Sequence, residues 1–306
     1  MGNALVDLTH SLENEDALLR RGWETGDWIP IDLGGWESAR SIVSEPLSVQ
    51  AGGSIANTVR TVGLLGGNAT FVGVVGDDEY GDLFKAAILR DCGNEVLATV
   101  EGGTTGRSLC FVTPPDGERT MVVHHGVSRD FTQLYSQKIP WGSMGHFGGY
   151  SLFGEGASDF VQESVLRVKE RGGIVSFDLG DKEVAKEKPD EVWGLLESVD
   201  ILFVNEDEAD VLVGLPPRKA GKEIQRHAGV GTVVVKRGAR GSFVFEGERC
   251  LRIGTGSCKV IDTTGAGDAY AGGFLYGILN EFSMEKCAEF GRDCASEAVS
   301  RWGALP

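Results

Sequence analysis

Asp268 follows Gly265, Ala266 and Gly267 where a β-type apolar lead-in gives way to a long apolar helical pattern, within KVIDTTGAGDAYAGGFLYGI from Lys259 to Ile278. A glycine-rich turn at a helix start points free backbone N–H groups of residues 265 to 267 into one spot, where the helix dipole adds positive potential. Phosphate chemistry fits that spot. A carboxylate beside an anion site gives nothing to pure anion binding, but it suits a reaction in which an attacking hydroxyl must lose its proton. An aspartate in the first turn of a helix is ordinarily a cap or a dipole partner, so the inference rests on the whole string DTTGAGD.

Three other groupings could bind rather than transfer. AGGSIANTVRTVGLLGG, residues 51 to 67, pairs Gly52 and Gly53, which let backbone approach a ligand, with Asn57 one helical turn later, an amide that both donates and accepts. Asn205 and Glu208, three apart at the start of the acidic segment NEDEADVLVG, share one helix face after the buried-strand pattern DILFVN. Their oxygens suit magnesium, which favours oxygen ligands and keeps several waters. TVVVKRGARGSFVF, residues 232 to 245, reads as strand, turn and strand around Lys236, Arg237, Gly238, Ala239, Arg240 and Gly241. Each grouping also has a purely structural reading: a glycine turn, a capped acidic helix, a β-turn.

Together they decide more than singly. DTTGAGD followed by AYAGGF resembles the second signature of the ribokinase or PfkB family of sugar and nucleoside kinases, and AGGSIANTVRTVGLLGG with FVGVVGDDEYGDLF resembles its first. NxxE at Asn205 and Glu208 and KxGxxG at Lys236, Gly238 and Gly241 resemble its magnesium-linked and nucleotide motifs, in the family order. The resemblance implies a ribokinase-like three-layer α/β/α sandwich with a mostly parallel central sheet and a small β lid. It implies ATP and Mg²⁺ as co-reactants, with Asp268 as base and Lys236, Gly238, Gly241 and Thr264 on the ATP side. Gly52, Gly53, Asn57 and the Asp7 of GNALVDL then fall on the sugar. By the same resemblance Asp262 is a monovalent-cation ligand, for K⁺, and Arg119 of DGERT reaches phosphate. The GNALVDL opening, the long 8 to 50 segment and FDLGD at 177 to 181, where many sugar kinases show DxNxR, resemble the adenosine-kinase-like branch. Relatives carry several apolar residues before this opening glycine; here the first strand is short or a preceding segment is missing.

The elements that must position these residues alternate. Strand-like runs at 70–75, 173–178, 200–204 and 232–236 interleave with helical patterns at 54–66, 157–171, 189–197 and 265–281, the rhythm of parallel βαβ units. The segments 8–50 and 104–125 break that rhythm and fall where the family inserts its lid, the second as a hairpin around PPDGE. A single kinase domain over 1–306 is expected, with a lid that excludes water from the phosphoryl group. Trp23, Trp28 and Trp36 are read as lid core, or as stacking surface with Tyr150 and Phe153.

Composition narrows the partners. A net charge of −16, from 45 acidic and 29 basic residues with no basic run, disfavours nucleic acid and anionic membrane surfaces. Arg237, Arg240, Lys236 and the helix start at Gly265 must then gather positive potential locally. Six cysteines without CxxC spacing indicate neither zinc nor a disulfide scaffold, and His124-His125 is too isolated a pair for a metal. No signal-like apolar core opens the chain, so a cytoplasmic location is expected. GAGDAY places Tyr270 where a dinucleotide-binding turn needs its third glycine, and GLPPRKAGKE has the wrong spacing for a P-loop, with Glu223 after the lysine. The expected activity is ATP-dependent phosphorylation of a hydroxyl on a small sugar or ribonucleoside, with homodimerisation through an exposed lid edge. The rival is a non-catalytic sensor on the same fold, which would gain nothing from Asp268.

Overall fold

A computed structural model describes residues 1–41, 43–113 and 118–305. Its strands run in chain order as β1 (Leu5–Ser11), β2 (Trp28–Pro30), β3 (Ser48–Gly52), β4 (Ala69–Gly76), β5 (Gly93–Val100), β6 (Gly106–Thr113) and β7 (Glu118–His124). β8 (Met144–Gly148), β9 (Ile174–Asp178), β10 (Ile201–Asn205), β11 (Thr232–Lys236), β12 (Ser242–Glu246) and β13 (Arg249–Ile253) follow. Six of them form one sheet in the order β13-β12-β11-β10-β9-β8, parallel from β8 to β11, with the hairpins to β12 and β13 antiparallel at the edge.

Continuous apolar runs made these strands legible as buried on both faces, and their side chains divide accordingly. Leu202 and Val204 of β10 face one core with Val175, Val233 and Phe245, under the helix Ala157–Lys169 and its Val161, Val165 and Val168. Ile201 and Phe203 face the other core, with Val234, Val244 and Phe274 of the helix Ala266–Leu279. Helix, sheet and helix therefore make three layers.

Residues 1–4 extend the sheet where strand pairing is too short to form a ladder. The Met1 amino group donates to the His146 carbonyl of β8 (2.7 Å), and the Gly2 N–H donates to Val72 of β4 (3.2 Å), so the opening segment lies between β8 and the parallel β4-β5 pair. A Cβ on Gly2 would stand 2.6 Å from that of Ile55, which is why glycine occupies this position.

The arrhythmic segments form a second sheet, ordered β2-β7-β6-β1-β3. β1 pairs parallel with β6 and antiparallel with β3, and β6 and β7 form the expected hairpin with Thr113 opposite Glu118. Most of the expected turn PPDGE, residues 114–117, lies outside the described residues. Trp36 and Leu18 close one face of this sheet over Phe111, Val122 and Leu109. Asp7 sits inside β1, whose pairing from Leu5 onward is all in this second sheet, and so not at the end of a short first strand.

A buried ion pair ties the binding loop to the scaffold. Arg60, on the helix Ser54–Leu64, donates to Asp91 (2.7 Å) at the end of the helix Glu79–Cys92 and to the Ala51 carbonyl of β3 (2.6 Å), with both charged side chains almost wholly buried. Removing one partner strands the other charge. Asp91→Ala is expected to cost about 3 kcal/mol in denaturant unfolding, and a second change, Arg60→Met, should recover part of that loss. Among the described residues no helix is long and apolar enough to cross a membrane.

Candidate active site

The second sheet stands over the C-terminal ends of the parallel strands, and a cavity of about 1110 Å³ opens between them. Open parallel sheets bind ligands at that end. Asp268 lines the cavity from the first turn of the helix Ala266–Leu279. Its two oxygens accept from Ser54 Oγ (2.7 Å) and Asn57 Nδ2 (2.9 Å), so the carboxylate is oriented by neutral donors and not by a cation. The two helices can cross this closely because Gly272 sits against Thr61, where a Cβ would come within 2.5 Å of the Thr61 Cβ.

The turn before Asp268 is left-handed at Gly265 (φ 72°), with its α-carbon against Ala304. Of the three amides expected to be free, that of Ala266 donates to the Thr263 carbonyl (3.3 Å), while Gly265 and Gly267 line the cavity beside it. Lys236 supplies charge there: a Cβ on Gly267 would lie 3.3 Å from its Nζ. Thr264 lines the cavity with its Oγ1 buried and unpartnered, and its N–H donates to Asp262 (2.8 Å). The other Asp262 oxygen accepts from the Gly303 N–H (2.9 Å), and Asp262 does not line the cavity. That carboxylate fixes the loop to the C-terminal segment, so the geometry gives no support to the expected K⁺ ligand.

Asp178, Asn205 and Lys236 close β9, β10 and β11, which brings them to one edge of the cavity. Lys236 Nζ donates to Asp178 (2.6 Å). Burial would lower the Lys236 pKa, but Asp178 and Glu208 outweigh it and raise it. Burial also drives Asp178 upward and Glu208 up to about 8, with Lys236 opposing both. Asn205 and Glu208 form a capping box: Glu208 accepts from the Asn205 N–H (2.9 Å) and Nδ2 (2.7 Å), and Asn205 Oδ1 accepts from the Glu208 N–H (2.9 Å). Both line the cavity, with oxygen donors of the kind magnesium takes through water. Among the described residues no group of three or more His, Cys, Asp or Glu could form a metal cage. Arg237 and Arg240 add less positive potential than expected, because both are engaged by Glu206. Gly238 and Gly241 line the cavity with positive φ, and a Cβ on Gly241 would strike the Ile253 carbonyl at 1.9 Å.

Asp7 lines the opposite part, buried, with Oδ1 unpartnered. Burial raises its pKa to about 6 against the opposing pull of Ser108 and Arg119. Gly53 and Asn57 also line the cavity, but Gly52 does not. Its role is room for Asp7, as a Cβ there would lie 1.9 Å from Asp7 Oδ2. Arg119 lines the cavity and donates to the Thr263 carbonyl (3.4 Å), joining β7 to the loop before Asp268.

The family is decided by the chain as a whole: the profile of the pfkB family carbohydrate kinases matches residues 27–306. The chain belongs to the PfkB family. It is a phosphotransferase with an alcohol acceptor. The PfkB chain is 30% identical over 286 residues to fructokinase-1 of Oryza sativa, covering 87% of this chain and 88% of that one. Among solved structures it superposes on adenosine kinase from Sinorhizobium meliloti with a TM-score of 0.90 at 29% identity, covering 100% and 94% of the two chains. A probable sugar kinase from Rhizobium etli gives the same TM-score, 0.90, at 27% identity over 100% of this chain and 93% of that one. The fold is thus ribokinase-like.

Sequence reasoning did not select Asn3, Ser54, His125 or Asp178, all of which line the cavity. Asn3 and Ser54 stood inside quoted motifs and were passed over for their neighbours. Trp28 stacks on Tyr150 (5.4 Å, 29°), whereas Trp36 is buried in the core of the second sheet and Trp23 packs against it. Only folding separates these tryptophans.

Proposed function

We propose that this kinase transfers the γ-phosphoryl group of ATP to a hydroxyl of a small sugar or ribonucleoside, with Asp268 as the general base. The observation that carries this reading is the Asp268 carboxylate itself, held in the cavity wall at a helix start by the neutral donors Ser54 and Asn57. Asp7 accepts acceptor hydroxyls, Gly53 and Asn57 border the same subsite, and Asn57 keeps a buried, unpartnered Oδ1 for a hydroxyl. The amides of Gly265 and Gly267, the helix dipole and Lys236 meet the charge of the phosphoryl group in flight. Arg119 approaches the same phosphate from β7. Gly238, Gly241 and Thr264 border the nucleotide. Magnesium, when bound, neutralises and orients the phosphates, and Asn205 and Glu208 would hold it through water. A phosphate site facing a carboxylate would weaken a pure binder, which disfavours the sensor reading.

The chain is read as one domain, 1–306, whose segments 8–50 and 104–125 close as a lid and keep water from competing with the acceptor. Leu47 and Val49, exposed at the β3 edge, suit pairing with a second copy. Six unpaired cysteines fit a reducing, cytoplasmic setting.

ADP formation measured with ribose, fructose, adenosine, cytidine and inosine tests the reading: at least one should turn over, and binding without ADP from any of them would defeat it. A pH series adds a second check. Folding raises the Asp7 pKa from 3.8 to about 6, so its contribution to stability declines as pH rises through that interval. Acceptor hydroxyls favour the ionised form. KM for the acceptor should therefore fall as pH rises from 5 towards 7 and then level off, while an Asp7→Asn variant loses that dependence.

A further inference from the structure

His125 stands immediately after β7, with its carbonyl against Gly106, next to Leu5 of β1. Of the five histidines in the chain it alone both lines the cavity and has two buried ring nitrogens without a hydrogen-bond partner. His10 and His146 each leave one nitrogen unpartnered, but neither lines the cavity. Burial first, then Arg129 and His124, push the His125 pKa down to about 3, so the ring is neutral and carries one N–H and one lone pair. Its ring lies 5.6 Å from that of Trp28, which in turn stacks on Tyr150.

Among the orphaned buried polar atoms of the cavity lining, Thr264 Oγ1 can donate as well as accept, whereas those on Asn3, Asp7 and Asn57 only accept. Asn3 Oδ1, Asp7 Oδ1 and Asn57 Oδ1 are all acceptors, while the amide groups of Asn3 and Asn57 are already donating, to the Tyr150 carbonyl (3.4 Å) and to Asp268 (2.9 Å). Three acceptors answer the hydrogens of a polyhydroxylated compound and leave its oxygen lone pairs unanswered. Buried polar groups are ordinarily paired, so an unpaired set converging on a cavity points to a ligand that completes it. The imidazole N–H is a donor that these three side chains do not supply.

We propose that His125 is a specificity-determining residue of the acceptor subsite, bonding one oxygen of the acceptor other than the hydroxyl that Asp268 deprotonates. This proposal rests on the phosphotransfer reading of the cavity but makes a separate demand, because it concerns which acceptor is preferred and not whether transfer occurs.

The experiment compares wild type, H125F, which keeps the ring and removes both nitrogens, and H125Q, which retains a donor. Ribose, fructose and adenosine are each set against their single deoxy analogues, with ADP formation and calorimetric binding both measured. Wild type should prefer one parent compound over one of its deoxy analogues by about tenfold or more, the usual weight of a hydrogen bond left unmade to a buried partner. H125F should lose that single preference with KM for ATP unchanged, and H125Q should keep part of it. A merely structural histidine would affect all acceptors alike. Unaltered preferences in H125F overturn the role of His125 while leaving the kinase intact. A loss of one preference seen in binding, with no ADP from any protein, upholds His125 and overturns the transfer reading. Failure of wild type to bind any of these compounds overturns both. If H125F does not fold, H125L set against H125Q makes the same comparison.

Discussion

Asp268→Asn is expected to lower kcat with the best acceptor by about 10²–10⁴, the usual weight of a positioned general base, with acceptor and ATP binding nearly unchanged. Asparagine preserves the shape of the side chain and one acceptor oxygen, so Ser54 can still donate as it does to the carboxylate (2.7 Å). The other position would oppose an amide to Asn57 Nδ2, now 2.9 Å from Oδ2, and Asn57 would turn or release it. Binding energy therefore survives while the proton has nowhere to go. Single-turnover and steady-state rates with calorimetric affinities separate these effects: a kcat within twofold of wild type would remove Asp268 from the chemistry. Ser54→Ala is a useful companion, because it frees one carboxylate oxygen without removing the base.

How much of this was legible beforehand depended on the range of the interaction. The parallel strands showed themselves because a strand buried on both faces must be apolar throughout, as β10 and β11 are. DTTGAGD announced the helix start and its aspartate because the turn, the amides and the carboxylate are contiguous in the chain. Contacts between distant segments left no such trace. Nothing local says that Asn57, read as a group for the sugar, spends its amide on Asp268, 211 residues away, or that Arg237 and Arg240 are claimed by Glu206. Asp262 was read as a cation ligand, yet the Gly303 N–H that takes its second oxygen lies 41 residues further on. His124-His125 reads in sequence only as a pair too isolated for a metal, and an imidazole lining a cavity has no spacing signature at all.

The paired glycines show the same limit and set the second large expectation. Both were read as places where backbone meets ligand; Gly53 lines the cavity, while Gly52 is occupied from the protein side. A methyl group at residue 52 would lie 1.9 Å from Asp7 Oδ2 and 2.3 Å from its carboxyl carbon, closer than atoms can approach. Residue 52 pairs with Leu5, two residues from Asp7 on β1, so the backbone register holds both in place and relief must come from the side chain. Gly52→Ala should therefore swing the Asp7 carboxylate out of the acceptor subsite. If Asp7 accepts two acceptor hydroxyls, as its proposed role implies, losing those charge-assisted hydrogen bonds is expected to lower kcat/KM for the acceptor by about 10³, mostly through KM, with KM for ATP little altered. The decisive control is Asp7→Ala in the Gly52→Ala background. If the alanine acts only by displacing Asp7, the double variant should be no worse than Asp7→Ala alone. Additive losses would mean that residue 52 meets the acceptor directly, as its place beside Gly53 first suggested.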